Sequence, residues 1–467
     1  MRFGWRYWLI AIAIAILSFF VACANNADLD TETQIAPVAN ELNIWWEQGY
    51  NLEEDEALRQ VVADWQQQTG NRVNLSFFTN DELISKVERA ERANRLPDLM
   101  MSLKANRMLY PRLAWQDKLA DVRDIIEPIK DDYDPETLQA ITYHNAKQDK
   151  RSYYGIPLYQ DTALIFYWQS LLASIDLTPE DIPQDWDAFW QFWQQAQSEL
   201  KTKGDRDIYG LGFSLAQDPR ADDTSHLFEQ ILEAKGIDIL SDRHELQIER
   251  PQVRQGIIEC LKWYAQLYRQ GYIPPDAVEW SNADNNRHLL NRSILMTPNN
   301  SLSIPATVKQ DSKTYYNRLG IVEFPARPNG KPMRYLVSVR QAVIFKDALA
   351  ESLAKQFLRY FIQPQVTLDC LKAANARHQP VKKSVWQDRF WQDTQDPYIA
   401  ALTKIITQGQ IRLPNEVYHP AYSQVIAENV WGQAITQVTA EQVAPEAAAK
   451  RAIARIEKIF AEWDKNY

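Results

Sequence analysis

Cysteine is scarce, with three in 467 residues, at positions 23, 260 and 370. None forms a Cys-x-x-Cys pair, and the six histidines show no His-x-x-His or His-Glu-x-x-His spacing, so no metal site and no cofactor are expected. Glycine is also sparse, at 14. There is no Gly-x-x-x-x-Gly-Lys phosphate loop and no Gly-x-Ser-x-Gly nucleophile elbow; Gly210-Leu211-Gly212-Phe213-Ser214 is similar only in outline. No local arrangement of the 61 Asp and Glu points to the opposed carboxylates of a glycosidase. An excess of positive charge is missing too. The net charge of −10 repels phosphate backbones, so nucleic acid is not an expected partner. Past the N-terminus no apolar run is long enough to span a bilayer.

The N-terminus is the informative exception. Arg2 and Arg6 precede an apolar stretch from Tyr7 to Ala22, interrupted only by Ser18, and small Ala22 precedes Cys23. Charged, apolar and small-residue regions in that order form an export signal. Phe20-Val21-Ala22-Cys23 resembles a bacterial lipoprotein box, with Phe where Leu is usual. The stretch is about 16 residues, short of the roughly 20 that span a bilayer, which favours a cleaved lipoprotein signal over a retained anchor or plain secretion. We therefore expect a signal peptide over 1–22, lipidation at Cys23 and a flexible tether over 23–39. Cys260 and Cys370 sit in helix-like apolar patterns and read as buried thiols in preference to a disulfide.

The remaining chain, roughly 440 residues, is long enough for two domains. Leu42-Asn43-Ile44-Trp45-Trp46 predicts a strand, and Leu58, Val61, Val62 and Trp65 one face of a helix closed by Gly70. Val73–Phe77 predicts a second strand, Thr79 with Glu82 a capping box for a helix from Asp81 to about Ala93, and Asp98–Ser102 a third strand. This β-α-β-α-β order belongs to a parallel α/β sheet. A second α/β block follows Gly155-Ile156-Pro157. It has a Trp-rich helix from Trp186 with Asp185 as cap, strands near Tyr209–Phe213, Ser293–Met296 and Leu336–Phe345, and helices over Val253–Gln270, Leu349–Phe361 and Ala447–Trp463. Sixteen Trp and 21 Tyr suit both a large core and a pocket that stacks flat ligands.

Three segments taken in order resemble the solute-binding proteins of ABC importers, in the carbohydrate-binding family that includes maltose-binding protein. The first runs from Leu42–Trp46 through Gly70-Asn71-Arg72-Val73 to Leu96-Pro97-Asp98-Leu99-Met100. The second is Tyr154-Gly155-Ile156-Pro157 through Tyr167, with Pro183-Gln184-Asp185-Trp186 after it. The third is Leu319–Pro325, then Gly330-Lys331 and Gln379-Pro380-Val381, with Glu441–Ala448 opening the last helix. The resemblance implies a two-lobed periplasmic-binding-protein fold of type II, with a ligand cleft between lobes joined by hinge strands. It implies crossings near Pro157–Asp161, Leu336–Val339 and Pro380, with lobe I over 40–158 and 338–379 and lobe II over 159–337 and 380–467. It further implies a non-enzymatic, monomeric lipoprotein of the bacterial cell envelope. Its expected partners are a sugar or sugar-like solute, the importer's permease and ATPase, and the membrane through its lipid. A lipoprotein glycoside hydrolase and a ligand-binding sensor subunit are the competing readings.

Candidate ligand contacts lie where strands end. Trp45, Trp46 and Glu47 close the first strand. A ring stacks on a sugar face and a carboxylate accepts hydroxyl hydrogens, although alternation sends one of the two Trp into the core. Phe78 and Thr79 close the second strand; Asp98 is either a contact or a structural cap. The resemblance places a ligand-binding acid at Asp161, beside Gln160, where a hinge hydrogen bond is the alternative. It also points to Trp431, a cleft ring or a helix-packing residue. Ser214, Gln217 and Asp218 follow a second-lobe strand; Asn299 and Asn300 follow another.

Overall fold

A computed structural model describes residues 41–466. The export signal, Cys23 and the tether over 23–39 lie outside the described residues. The strands are β1 (Glu41–Glu47), β2 (Arg72–Phe78), β3 (Leu99–Met101), β4 (Thr142–Asn145), β5 (Lys150–Tyr153), β6 (Ile156–Thr162), β7 (Leu164–Trp168), β8 (Tyr209–Leu211), β9 (Ile294–Asn299), β10 (Leu319–Val322), β11 (Arg334–Ile344), β12 (Gln379–Pro380) and β13 (Gln410–Arg412).

The opening alternation builds a parallel unit. β1 pairs in parallel with β2 and β3, and period two sends Leu42, Ile44 and Trp46 into the core. The Leu52–Thr69 helix buries Leu58, Val61, Val62 and Trp65, and Gly70 ends it at a φ of 72°, a left-handed conformation that a Cβ would strain. The Thr79–Glu82 box caps the Asn80–Ala93 helix, with Glu82 Oε2 accepting from Thr79 N at 3.1 Å.

The first sheet has the order β12-β6-β11-β3-β1-β2, with β13 added to β11. The second has the order β10-β7-β9-β8. Only Ala163 separates β6 of the first sheet from β7 of the second. The chain returns from β10 to β11, which runs antiparallel to both β6 and β3. After β12 it leaves again, and the Pro397–Gln408 helix packs on β10. β6 and β11 thus connect the two halves as a paired ribbon. β4 and β5 form a separate hairpin.

The aromatic surplus goes mainly to the second half. The Trp186–Lys203 helix buries Trp186, Phe189, Trp190, Phe192 and Trp193. Trp190 meets Phe189 edge-on at 5.1 Å and Trp263 at 5.3 Å. Asp185 caps this helix by accepting from Asp187 N at 3.1 Å and Ala188 N at 3.0 Å. Asp185→Ala is expected to lower stability by about 1 kcal/mol in urea titration, whereas Asp185→Asn should keep most of the cap. Cys260 is buried and Cys370 partly so. Both are free thiols, and burial pushes each up to about 12.

A candidate ligand cleft between the two sheets

The strands end where the halves face each other, as ligand sites in open α/β sheets do. A cleft of about 360 Å³ opens there. Its first-lobe wall carries Glu47 at the end of β1 and Tyr50 beyond it, Thr79 and Asp81 beyond β2, and Lys104 beyond β3. The second-lobe wall carries Asp222, Asp223 and His226 from the Asp222–Ala234 helix, with Asn286, Asn299 and Asn300. Asp161 of β6, Arg340 of β11 and Arg377 beside β12 line it from the connecting strands.

Those connecting strands hold a buried charge network. Asp161 Oδ2 accepts from Arg340 Nε at 2.7 Å, and its Oδ1 accepts from His378 Nδ1 at 2.6 Å. Arg377 grips Glu54 through two bonds of 2.9 and 2.7 Å. Burial works against charge on Asp161, but His378 and Arg340 outweigh it and hold the carboxyl down to about 2. Burial likewise opposes Glu54, and Arg377 with His378 brings it to about 2. His378 is raised, with Asp161 outweighing burial. The signs give a pH window. The two acids contribute stability above their unfolded pKa values, near 4, and lose it as pH falls toward 2. His378 contributes below about 6.5 and loses its share as pH rises through its raised value. Melting temperature against pH should therefore show this contribution at full strength between about pH 4.5 and 6.5, and Asp161→Asn should flatten both flanks.

Five expected residues meet at the cleft: Glu47, Thr79, Asp161, Asn299 and Asn300. Glu47 Oε2 accepts from Ser102 Oγ at 2.7 Å and Leu103 N at 2.8 Å, and burial raises its carboxyl. The other expected residues lie elsewhere. Trp431 is fully buried, 5.0 Å from Phe228, and donates to Tyr422 Oη at 2.9 Å; it packs in the core. Asp98 ties β1 to the first lobe by accepting from Asn43 N and Ala350 N, each at 2.9 Å. Trp46 packs 5.8 Å from Phe361, and Trp45 lies edge-on to Phe78 at 5.6 Å with Lys86 over its ring. Gln160 donates to Pro380 O at 2.7 Å within the connecting strands. Ser214 bonds Thr224 at 2.8 Å below the surface. Asp218 pairs with Arg220, and exposed Gln217 lies outside the lining. Tyr50 and the imidazole of His226 are the rings that line this cleft among the described residues, and a neighbouring cavity that shares Glu47, Leu103 and Arg377 with it is lined by Trp46 and Tyr159.

The expectation missed Tyr50, Lys104, Asp222, Asp223, Asn286, Arg340 and Arg377. Lys104 had a signal, since it stands just past a recognised strand. Arg377 adjoins the Gln379-Pro380 crossing. Asn286, inside the Asp284–Leu290 helix, had none.

A family profile for bacterial extracellular solute-binding proteins matches residues 60–400. A search of curated protein sequences returns no match. Among solved structures, an ABC-transporter solute-binding protein of Thermotoga lettingae bound with α-D-tagatose is 20% identical, with a TM-score of 0.73 over 90% of this chain and 99% of that one. The maltose-bound MalE3 of T. maritima is 18% identical, with a TM-score of 0.72 over 90% and 99%. A ribitol complex of an ABC-transporter solute-binding protein from Agrobacterium radiobacter K84 is 17% identical, at 0.70 over 90% and 98%. At these identities the likeness shows the two-lobed periplasmic-binding-protein fold.

Proposed function

The chain belongs to the bacterial extracellular solute-binding protein family, and from that premise we propose that it captures a sugar or sugar-like solute and delivers it to an ABC importer without chemical change. The observation that carries this reading is the cleft, whose lining comes from both halves and combines carboxylates, amides and hydroxyls with lysine and arginine side chains already in ion pairs. Such groups bind hydroxyls, and a solute touching both lobes favours their closed arrangement. The tagatose, maltose and ribitol held by the structural relatives support a polyhydroxylated ligand. Glu47, Thr79, Asp161, Asn299 and Asn300 are the proposed contacts, joined by Tyr50 and Asn286. The lobes are proposed as 40–158 with 338–379, and 159–337 with 380–467, the molecule acting as a monomer.

The protein works outside the cytoplasm, as its family does. No described helix is long and apolar enough to cross a membrane. The anchor is proposed to be a lipid on Cys23, and mass spectrometry of the mature N-terminus should find a diacylated cysteine there. For the cleft, titration calorimetry against mono- and disaccharides and polyols should show saturable binding, with the bound sugar recovered intact. Binding of amino acids or peptides in place of every sugar overturns the reading; steady product release would make the protein a hydrolase.

A further inference from the structure

The charges around the cleft are unevenly satisfied. Each lining cation already has a carboxylate: Lys104 has Asp81, Arg340 has Asp161, Arg377 has Glu54 and Arg220 has Asp218, all at 2.7 Å. Three lining carboxylates make no direct ion pair with a lysine or arginine among the described residues, although Arg107, Lys104 and Arg340 act on Asp222, and Arg340 and Arg377 on Glu47 and Asp223, from further away. Glu47, on the first lobe, is held by a hydroxyl and backbone amides. On the second lobe Asp222 has Asn282 Nδ2 at 3.3 Å and His226 at 3.7 Å, and Asp223 has Asn300 Nδ2 at 3.2 Å. His226 supplies no charge, because burial, then Arg107, drives it well below its ordinary value.

A second observation is independent of these acids. Asn286 lines the same cleft at 3% exposure; its Nδ2 donates to Ser303 Oγ at 2.9 Å, and its Oδ1 has no partner. A buried acceptor left open is costly unless a ligand fills it. The Asp222–Asp223 pair also suits the positive end of its own helix. That accounts for neither Glu47 across the gap nor the open oxygen of Asn286. The unfilled demand on both walls is for donors. An ammonium offers three donors and no acceptor, whereas a neutral hydroxyl offers one donor and two acceptor lone pairs. No group of three or more His, Cys, Asp or Glu among the described residues is placed to hold a metal ion.

We propose, resting on the sugar-binding reading, that the solute is an amino sugar or amino polyol whose ammonium sits between Glu47 of one lobe and Asp222 and Asp223 of the other. An ammonium there meets carboxylates from both lobes and so binds the closed form more tightly. Burial and then Asp222 push Asp223 up to about 7, opposed by Asn300, Arg340 and Arg377. A bound ammonium favours the Asp223 carboxylate, so binding releases a proton and weakens as pH falls from 7 to 5.5. Lys104, Asp81, Asp161, Arg220 and neutral His226 are the other charged or titratable groups on the lining, and Arg107 also acts on Asp222 and His226.

The test is calorimetry on the full chain with glucosamine against glucose and galactosamine against galactose, at pH 7 and 5.5. The amino member of a pair should bind at least about tenfold tighter at pH 7, and its advantage should shrink at pH 5.5. Asp223→Asn and Asp222→Asn should each reduce affinity for the amino sugar by more than affinity for its neutral partner. Equal or tighter binding of the neutral sugars overturns this inference and leaves the sugar reading intact. Failure of every sugar, amino or neutral, alongside binding of amino acids overturns both.

Discussion

Arg107→Leu is expected to cost about 3–5 kcal/mol of stability at neutral pH and to regain part of that on acidification. Arg107, in the Leu103–Met108 helix of the first lobe, is fully buried. It donates to Glu229 Oε2 at 2.7 Å on the second-lobe Asp222–Ala234 helix, and it pairs with Glu416 in the short Asn415–Tyr418 helix. Two buried acids already share one cation: burial, then repulsion from Glu416, pushes Glu229 up to about 7 against the pull of Arg107. Without the guanidinium both carboxylates sit unpaired away from water, and Glu229, already raised by burial, is pushed further above its unfolded value. The native state then binds more protons than the unfolded state, so stability falls as pH rises and recovers as it drops. Urea unfolding at pH 7.5 and 5.5 measures this. Adding Glu229→Gln should recover part of the loss at pH 7.5. An equal loss at both pH values would assign the effect to packing alone.

Trp431→Ala is expected to destabilise the ligand-free protein by about 3–5 kcal/mol, through a cavity in the second-lobe core. The ring lies 5.0 Å from Phe228, and its loss also strips Tyr422 Oη of the indole donor. Melting temperature without ligand should drop sharply, while the protein that remains folded should bind its solute as before, because the ring is fully buried away from the cleft. Calorimetry below the variant's melting point separates the outcomes. Weakened binding with an unshifted melting temperature would put the ring back in the site.

Local structure was legible because its causes are local. The Thr79–Glu82 box, the Asp185 cap and the Gly70 stop each act within about one helical turn, and each stands in the structure where the residues imply it. Alternation along β1 implied a core Trp without naming it; the sheet chose Trp46, which meets Phe361 from a helix about three hundred residues later. Strand ends located the cleft for Glu47, Thr79, Asn299 and Asn300, and the family resemblance located it for Asp161; all five line it. Strand ends said nothing of which side chain points in. Ser214 also follows a strand, yet its hydroxyl is spent on Thr224 beneath the surface.

By itself, then, the sequence determined the parallel α/β start, the strand pair connecting two lobes, the caps, and the absence of local catalytic motifs. The parallel start and the caps follow from periodicity and short-range hydrogen bonding, whereas the connecting strand pair came from the resemblance to solute-binding proteins. Only the tertiary structure decided how its charges and rings are used. The Trp surplus packs the second-lobe core because large rings gain most where they meet one another, and those meetings join distant segments such as Trp190 and Trp263. Asp161 finds Arg340 and His378, and Arg107 finds Glu229 and Glu416, across more than a hundred residues of chain. Which carboxylates remain for a ligand is settled only after those pairings form, because a buried charge must take whatever partner the fold brings within reach.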